Sequence, residues 1–263
     1  LFKRMPEQTQ SANKQTIPPS AEFAAQAHLK SFDQYQEMYQ RSIQDPEGFW
    51  SEVAEKFVWK EKWTQVRDYS FNVDKNVEDL YIKWFVGGKT NISVNCLDRH
   101  LETRGDQTDI VWEGNEPGQD SKLTYKQLHA EVCKFANVLK SLGVKKGDRV
   151  CMYLQMIPQL RVAMLACARI GAIHSVVFGA FSSDSLRDRV QDSACKIIIT
   201  QDTALRGKKT DIPMKTNADK AAAECPSIEK IIVVKRTGHE VPMKEGRDVW
   251  YEEAMAKAPA ECE

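Results

Sequence analysis

Short apolar runs alternate with segments of helical periodicity through the middle of the chain. The runs at 149–154, 172–178 and 196–200 have the length of buried parallel strands and are bounded by turn residues. Between them, apolar positions recur at helical spacing over 157–170 and 183–193. This alternation predicts an α/β fold with a largely parallel, doubly wound sheet flanked by helices.

The clearest single helix is predicted to begin at Thr124. Thr124 and Gln127 have the spacing of a capping box, and Gly143 supplies a stop signal at the other end. One face of this helix is apolar: Tyr125, Leu128, Val132, Phe135, Ala136 and Leu139. Weaker patterns predict strands at 109–113, near Leu123 and at 231–235, and helices at 218–223 and 250–257.

The N-terminal part is helical and rich in aromatic residues. Helical spacing predicts one helix over 21–42 and a second from Asp45-Pro46 to Phe57. Trp59, Trp63 and Trp84 follow, and we interpret them as packing residues. The pair Gly87-Gly88 lacks the glycine spacing of a phosphate loop, so it predicts a tight turn before a helix at 93–103. We therefore expect a flexible leader at 1–20, a helical extension at 21–108 and an α/β domain at 109–263.

Composition excludes several classes of protein. The 263 residues contain 37 basic and 37 acidic side chains, a balance that argues against nucleic-acid binding. Arg169 and His174 interrupt the most apolar window, 162–181, so no membrane span is expected. Seven cysteines without a CxxC pair predict reduced thiols in a cytoplasmic protein and no metal site.

Two segments are candidates for ligand contact because they lie at or after the carboxyl ends of predicted parallel strands, which form binding sites in such sheets. The first is Phe178, Gly179 and Ala180, which otherwise form only a strand end with a turn glycine. The second comprises Arg206, Gly207, Lys208 and Lys209, which by spacing alone is a solvated basic loop. No paired carboxylates, nucleophile with a base or metal cluster emerges, so no catalytic residue is predicted in this chain.

Several sequence blocks, taken together and in order, are specific. They are WFxGGxTN at 84–91, NCLDRH at 95–100, GDR at 147–149, ARIGAIHSVVFG at 168–179 and FS at 181–182. They closely resemble the AMP-forming acetyl-CoA synthetases of the adenylate-forming family, over residues 32–258. Propionyl-CoA synthetases share most of these blocks.

The resemblance implies a ligase that joins acetate to CoA through an acyl-adenylate, with ATP, CoA and acetate as substrates and Mg²⁺ as cofactor. It places the chain at the N-terminal part of such an enzyme. The family's ATP phosphate loop, adenosine and magnesium segments and C-terminal lid lie beyond Glu263, and both ends of the sequence look cut. We therefore expect no ligase activity from these 263 residues, and weak self-association through uncovered apolar surface.

The resemblance also gives the two candidate segments a role. It implies that Arg206, Gly207, Lys208 and Lys209 meet the CoA 3′-phosphate and that Phe178, Gly179 and Ala180 pack against its adenine. Lys209 stands where bacterial members often have arginine, so a point charge replaces a bidentate fork. Ala180 replaces the second of two usual glycines. The alternatives are a ligase for propionate or another short acid, and a non-catalytic CoA-binding or interaction module.

Overall fold

A computed structural model describes residues 17–72 and 80–263. Its contacts divide the chain into two compact units, of which one extends to Lys56 and includes Gln65–Val86, and the other contains Phe57–Thr64 and Gly87–Glu263. A flexible leader was predicted over 1–20, and residues 1–16 of it lie outside the described residues. The predicted boundary between a helical extension that ends at 108 and an α/β domain that begins at 109 stays a prediction.

The first unit consists of helices and one antiparallel pair of strands. Its elements are α1 (Ala21–Gln26), α2 (Phe32–Gln44), α3 (Pro46–Ala54), β1 (Gln65–Ser70) and β2 (Tyr81–Val86). The single helix predicted over 21–42 is wrong, because the Ser31 side chain accepts a hydrogen bond from the Gln34 amide at 3.1 Å and so starts a new helix. Strands β1 and β2 were not predicted from the sequence.

The elements of the second unit were mostly predicted. Its helices are α4 (Ile92–Cys96), α5 (Leu101–Arg104), α6 (Tyr125–Ser141), α7 (Pro158–Ile170), α8 (Ser183–Ser193), α9 (Met214–Ala223) and α10 (Tyr251–Lys257). Its strands are β3 (Thr108–Glu113), β4 (Asp120–Thr124), β5 (Arg149–Leu154), β6 (Ile173–Phe178), β7 (Ile197–Gln201), β8 (Ala204–Arg206), β9 (Lys209–Ile212), β10 (Lys230–Val234) and β11 (Asp248–Trp250). The capping box of Thr124 and Gln127 at the start of α6 is confirmed.

The predicted fold class is confirmed. Five strands form one sheet in the order β11-β10-β7-β5-β6, and every pairing within it is parallel. Alternate residues of β5 enter opposite cores: Val150 and Met152 pack with α6, α7 and α10, whereas Cys151 and Tyr153 pack with α8 and α9. Because both faces are covered by helices, the strands are apolar throughout, which is the pattern the sequence shows.

Strand order defines where this sheet opens. The chain leaves β5 for β6 on one side and then returns to place β7 on the other side of β5. Connections therefore diverge at the carboxyl ends of β5 and β7, which is the position where doubly wound sheets form a crevice.

The helix predicted over 93–103 is wrong, since three short pieces take its place: α4, a 3-10 turn at Asp98–His100, and α5. A tertiary ion pair explains the break. Arg169 donates to both carboxylate oxygens of Asp98 at 2.8 and 2.9 Å. Burial opposes ionisation of Asp98, but Arg169 outweighs it, so the pKa of this carboxyl lies below its usual value.

The apolar window at 162–181 is shared between α7 and β6. Across residues 17–72 and 80–263, no helix is both long and apolar enough to cross a membrane. Six of the seven cysteines are buried, and burial raises the pKa of the Cys167 thiol to about 12.

The outer edge of the sheet is apolar and exposed. Strand β6 pairs only with β5 within the described chain, and Phe178 is 65% exposed, Ile173 55% and Val176 47%. An open edge with large apolar side chains favours pairing with another chain. We therefore expect weak, concentration-dependent self-association of these 263 residues in light scattering. A strictly monomeric species at high concentration would contradict this expectation.

Candidate functional site

A cleft of about 660 Å³ opens where β5, β6 and β7 end. Its position matches the crevice that the strand order creates. The lining residues include Trp112, Glu113, Tyr153, Gln155, Phe178, Gly179, Ala180, Phe181, Arg206, Asn217 and Arg236. All of them belong to the second unit.

The cleft brings together parts of the two segments that the sequence singled out. Phe178, Gly179 and Ala180 form its wall at the end of β6, and Arg206 joins them from the end of β8. Gly207, Lys208 and Lys209 do not line the cleft and are exposed beside it. The two segments come from different parts of the sequence, and the fold brings them together at the carboxyl ends of the parallel strands.

The basic segment is the tip of a hairpin and not the loop that was expected. Strands β8 and β9 are antiparallel, with Arg206 opposite Lys209 and only Gly207 and Lys208 between them. Gly207 has a φ of +57°, in the left-handed region that a two-residue hairpin turn favours. The turn therefore fixes Arg206 on a strand while it leaves Lys208 in solvent.

The side chain of Gln155 attaches this hairpin to the sheet. Its amide nitrogen donates to the Leu205 carbonyl at 2.7 Å, and its amide oxygen accepts from the Leu205 backbone N–H at 3.1 Å. The same oxygen accepts from Gln201 Nε2 at 3.2 Å. Because Leu205 precedes Arg206, this contact positions Arg206 relative to the end of β5.

A buried carboxylate organises the other side of the cleft. Asp202 follows β7, has no exposed surface and accepts hydrogen bonds from four backbone amides, those of Thr203, Arg236, Thr237 and Gly238. These bonds fix the loop that follows β10 against the end of β7. A buried carboxylate is expensive unless it is bonded in this way.

The floor of the cleft is closed by Tyr153, which is fully buried on β5. Its hydroxyl donates to the Phe181 carbonyl at 2.6 Å and accepts from Asn217 Nδ2 at 3.3 Å. Burial raises the pKa of this phenol, although the bond from Asn217 partly opposes the shift. The phenol therefore stays neutral and holds the turn after β6 in place.

Gly179 is tightly packed against the end of β5. A Cβ atom at this position would lie 3.1 Å from the Leu154 carbonyl oxygen and 3.3 Å from Met214 Cε. We expect Gly179→Ala to lower the free energy of unfolding by about 1–3 kcal/mol through overpacking. Urea denaturation would measure the change, with Ala180→Ser at the adjacent exposed position as the control. An unchanged midpoint for Gly179→Ala would contradict this packing.

Arg236 is a cleft residue that the sequence reading missed. Its guanidinium carbon lies 5.2 Å from the centroid of the Trp112 ring, and the Trp112 indole N–H donates to the Met156 carbonyl at 2.8 Å. Arg236 comes just after β10, so it lies at the carboxyl end of the parallel strands, as Phe178 does at the end of β6. The rule that pointed to the ends of parallel strands would have found it.

Taken together, the lining suits an anionic, partly apolar ligand. Arg206 and Arg236 supply positive charge, Glu113 is the acidic member of the lining, and Phe178 and Phe181 supply apolar surface. Among the described residues, no group of three or more His, Cys, Asp or Glu side chains could hold a metal ion. The geometry favours binding and orientation of such a ligand.

Comparison with known proteins identifies the family. Residues 97–261 match the family model described as AMP-binding enzyme, and residues 35–96 match the model for the acetyl-coenzyme A synthetase N-terminus. The chain belongs to the AMP-binding enzyme family. This result confirms the resemblance that the sequence blocks indicated.

Similar members of the AMP-binding family cover nearly all of this chain. It is 56% identical over 237 residues to the acetyl-coenzyme A synthetase of Alkalilimnicola ehrlichii, a match that covers 90% of the chain and 36% of the relative. It is 57% identical over 228 residues to that of Desulfatibacillum aliphaticivorans, which covers 87% and 34%. The chain thus spans about a third of the length of these relatives.

A solved structure has a similar fold. The acetoacetyl-CoA synthetase from Streptomyces lividans superposes with a TM-score of 0.76 at 25% identity, covering 90% of this chain and 35% of that one. The fold of this chain is therefore shared with an acyl-CoA synthetase.

Proposed function

We propose that this chain is the N-terminal part of an acetate–CoA ligase and that its cleft holds the nucleotide end of coenzyme A. The relatives named acetyl-coenzyme A synthetase support the reaction. The main support for the proposed site is that Arg206 lines the same cleft as Phe178, Gly179 and Ala180. This cleft opens where the connections after β5 and β7 diverge. The proposal places the protein in the cytoplasm with small molecules as its substrates.

The two ends of the nucleotide match the two kinds of surface in the cleft. Coenzyme A carries a 3′-phosphate on an adenosine, and Arg206 offers a guanidinium that pairs with phosphate oxygens in a bidentate manner. Phe178 and the backbone of Gly179, which carries no side chain, offer a surface for adenine. Lys208 and Lys209 add positive charge from outside the cleft, which attracts the anion without fixing its orientation.

In the proposed reaction, a carboxylate oxygen of acetate attacks the α-phosphorus of ATP and diphosphate leaves, which gives acetyl-AMP. The thiol of coenzyme A then attacks the acetyl carbon and AMP leaves. The residues of this cleft bind and orient the thiol carrier for the second step. Magnesium would accompany ATP, but no carboxylate cluster of the described residues fits it, so we assign no step to it here.

An assay of the full-length gene product tests the reaction. We expect it to form AMP from acetate, ATP and CoA, with acetate preferred over propionate. A preference for propionate would favour the sister ligase, and no AMP with either acid would favour a CoA-binding module. We expect no AMP formation from the 263-residue chain alone, because it spans only about a third of the length of the acetyl-coenzyme A synthetases that it matches; turnover by this chain would contradict that.

A further inference from the structure

Arg236 lines the cleft and is one of several arginines of the second unit that have no acidic partner among the described residues. Arg169, Arg187 and Arg247 each form an ion pair with an aspartate. Arg236 forms none with any described residue, and its Nε atom is buried without a hydrogen-bond partner. A buried donor that is left unpaired is costly, so the guanidinium of Arg236 has hydrogen-bonding capacity that no described residue meets.

The position of Arg236 is fixed from two sides. Its backbone N–H donates to Asp202 Oδ1 at 3.0 Å, so the buried carboxylate holds this residue at the end of β10. Its guanidinium lies against Trp112, whose indole is itself held by the Met156 carbonyl at 2.8 Å. Contact with an aromatic face leaves the edges of a guanidinium free for in-plane hydrogen bonds.

We propose that Arg236 is a second anion-binding residue of the cleft and that it binds the diphosphate of coenzyme A. The inference rests on the proposed coenzyme A site, in which Arg206 meets the 3′-phosphate. The ligand carries two separate phosphate groups, and the cleft is lined by two arginines that come from different strand ends. A planar guanidinium matches the adjacent oxygens of a diphosphate better than a point charge does.

The neighbouring Lys235 provides a matched control. Its ammonium nitrogen lies 4.7 Å from the centroid of the Trp250 ring and 3.7 Å from Glu253 Oε1. It lines the small adjacent cavity and not the cleft. Lys235→Ala therefore removes one positive charge close to Arg236 without removing a residue of the proposed site.

Calorimetric titration of the 263-residue chain with coenzyme A and with 3′-dephospho-coenzyme A tests the inference. Both ligands contain the diphosphate, so Arg236→Ala should weaken both by the same factor, about tenfold or more. Arg236→Lys should lose less, and Lys235→Ala should leave both affinities within twofold. Arg236→Gln keeps most of the stem against Trp112 and gives a second variant should Arg236→Ala fold poorly.

Three results would overturn the inference, and they are distinguishable. Unchanged affinities for both ligands in Arg236→Ala and Arg236→Gln would remove Arg236 from a coenzyme A site that otherwise stands. Weakened binding of coenzyme A alone would mean that Arg236 contacts the 3′-phosphate and not the diphosphate. Failure of the unaltered chain to bind coenzyme A would contradict both this inference and the proposed coenzyme A site.

Discussion

Replacing Asp202 by Ala is expected to lower the free energy of unfolding by about 3–5 kcal/mol. The carboxylate is fully buried and accepts from four backbone amides that belong to two separate segments. Its removal leaves these amides without their acceptor, and each unpaired buried donor costs about 1–3 kcal/mol unless water replaces the bond. Urea denaturation of the variant and of the unaltered chain would measure the loss.

The control for this prediction is Asp192→Ala, which removes a carboxylate from an exposed position on α8. We expect a change of no more than about 0.5 kcal/mol there. If Asp202→Ala were as mild as Asp192→Ala, the bonds to Arg236, Thr237 and Gly238 would not be what holds the β10 loop to β7. Asp202→Asn should fall between the two, because its amide oxygen still accepts while its NH₂ group faces donors.

Arg206→Ala is expected to abolish the discrimination between coenzyme A and 3′-dephospho-coenzyme A. A charge-assisted bidentate pair contributes about 1.5–3 kcal/mol, so the unaltered chain should prefer coenzyme A by about tenfold to a hundredfold. The variant should bind both ligands alike, since the only difference between them is the phosphate that Arg206 is proposed to meet. Arg206→Lys should keep part of the preference, because it retains charge without the fork.

Arg161→Ala is the matched control for Arg206. It removes a guanidinium from an exposed position on α7 that does not line the cleft. The preference for coenzyme A should survive in this variant. Loss of the preference in both variants would point to net charge alone, and its survival in Arg206→Ala would exclude Arg206 as the 3′-phosphate ligand.

The sheet could be predicted from the sequence because its signals are local. Strand β5 and helix α8 were placed with their observed bounds, Arg149–Leu154 and Ser183–Ser193, from apolar runs and caps. The same holds at Thr124, where the capping residue and its Gln127 partner are three positions apart. Such signals are decided within one or two turns of chain, and the core of the second unit follows them.

The errors in the predicted elements have different physical causes. The helical pattern of 93–103 is continuous, but Asp98 pairs with Arg169 and the helix breaks into pieces. The strands on either side of Gly207 have only three and four residues, which is too short for a periodic pattern that would predict the hairpin. At 21–42 a local signal was present, the capping residue Ser31, and an unbroken apolar spacing concealed it.

Part of the candidate site could also be predicted from local signals in the sequence. Phe178 ends one predicted parallel strand and Arg206 follows another, so the rule for strand ends indicated both residues, and the resemblance implied their ligand. Arg236 obeys the same rule but lies in a polar stretch without a recognised block. The roles of Gln155 and Asp202 depend on partners 50 and 34 residues away. Only the folded chain shows those contacts.

A crystal structure of the 263-residue chain with bound coenzyme A would test the proposed site most directly. We expect the 3′-phosphate within hydrogen-bonding distance of the Arg206 guanidinium and the adenine against Phe178, Gly179 and Ala180. Coenzyme A seated away from the carboxyl ends of β5, β6 and β7, or in this cleft with its 3′-phosphate remote from Arg206, would contradict it.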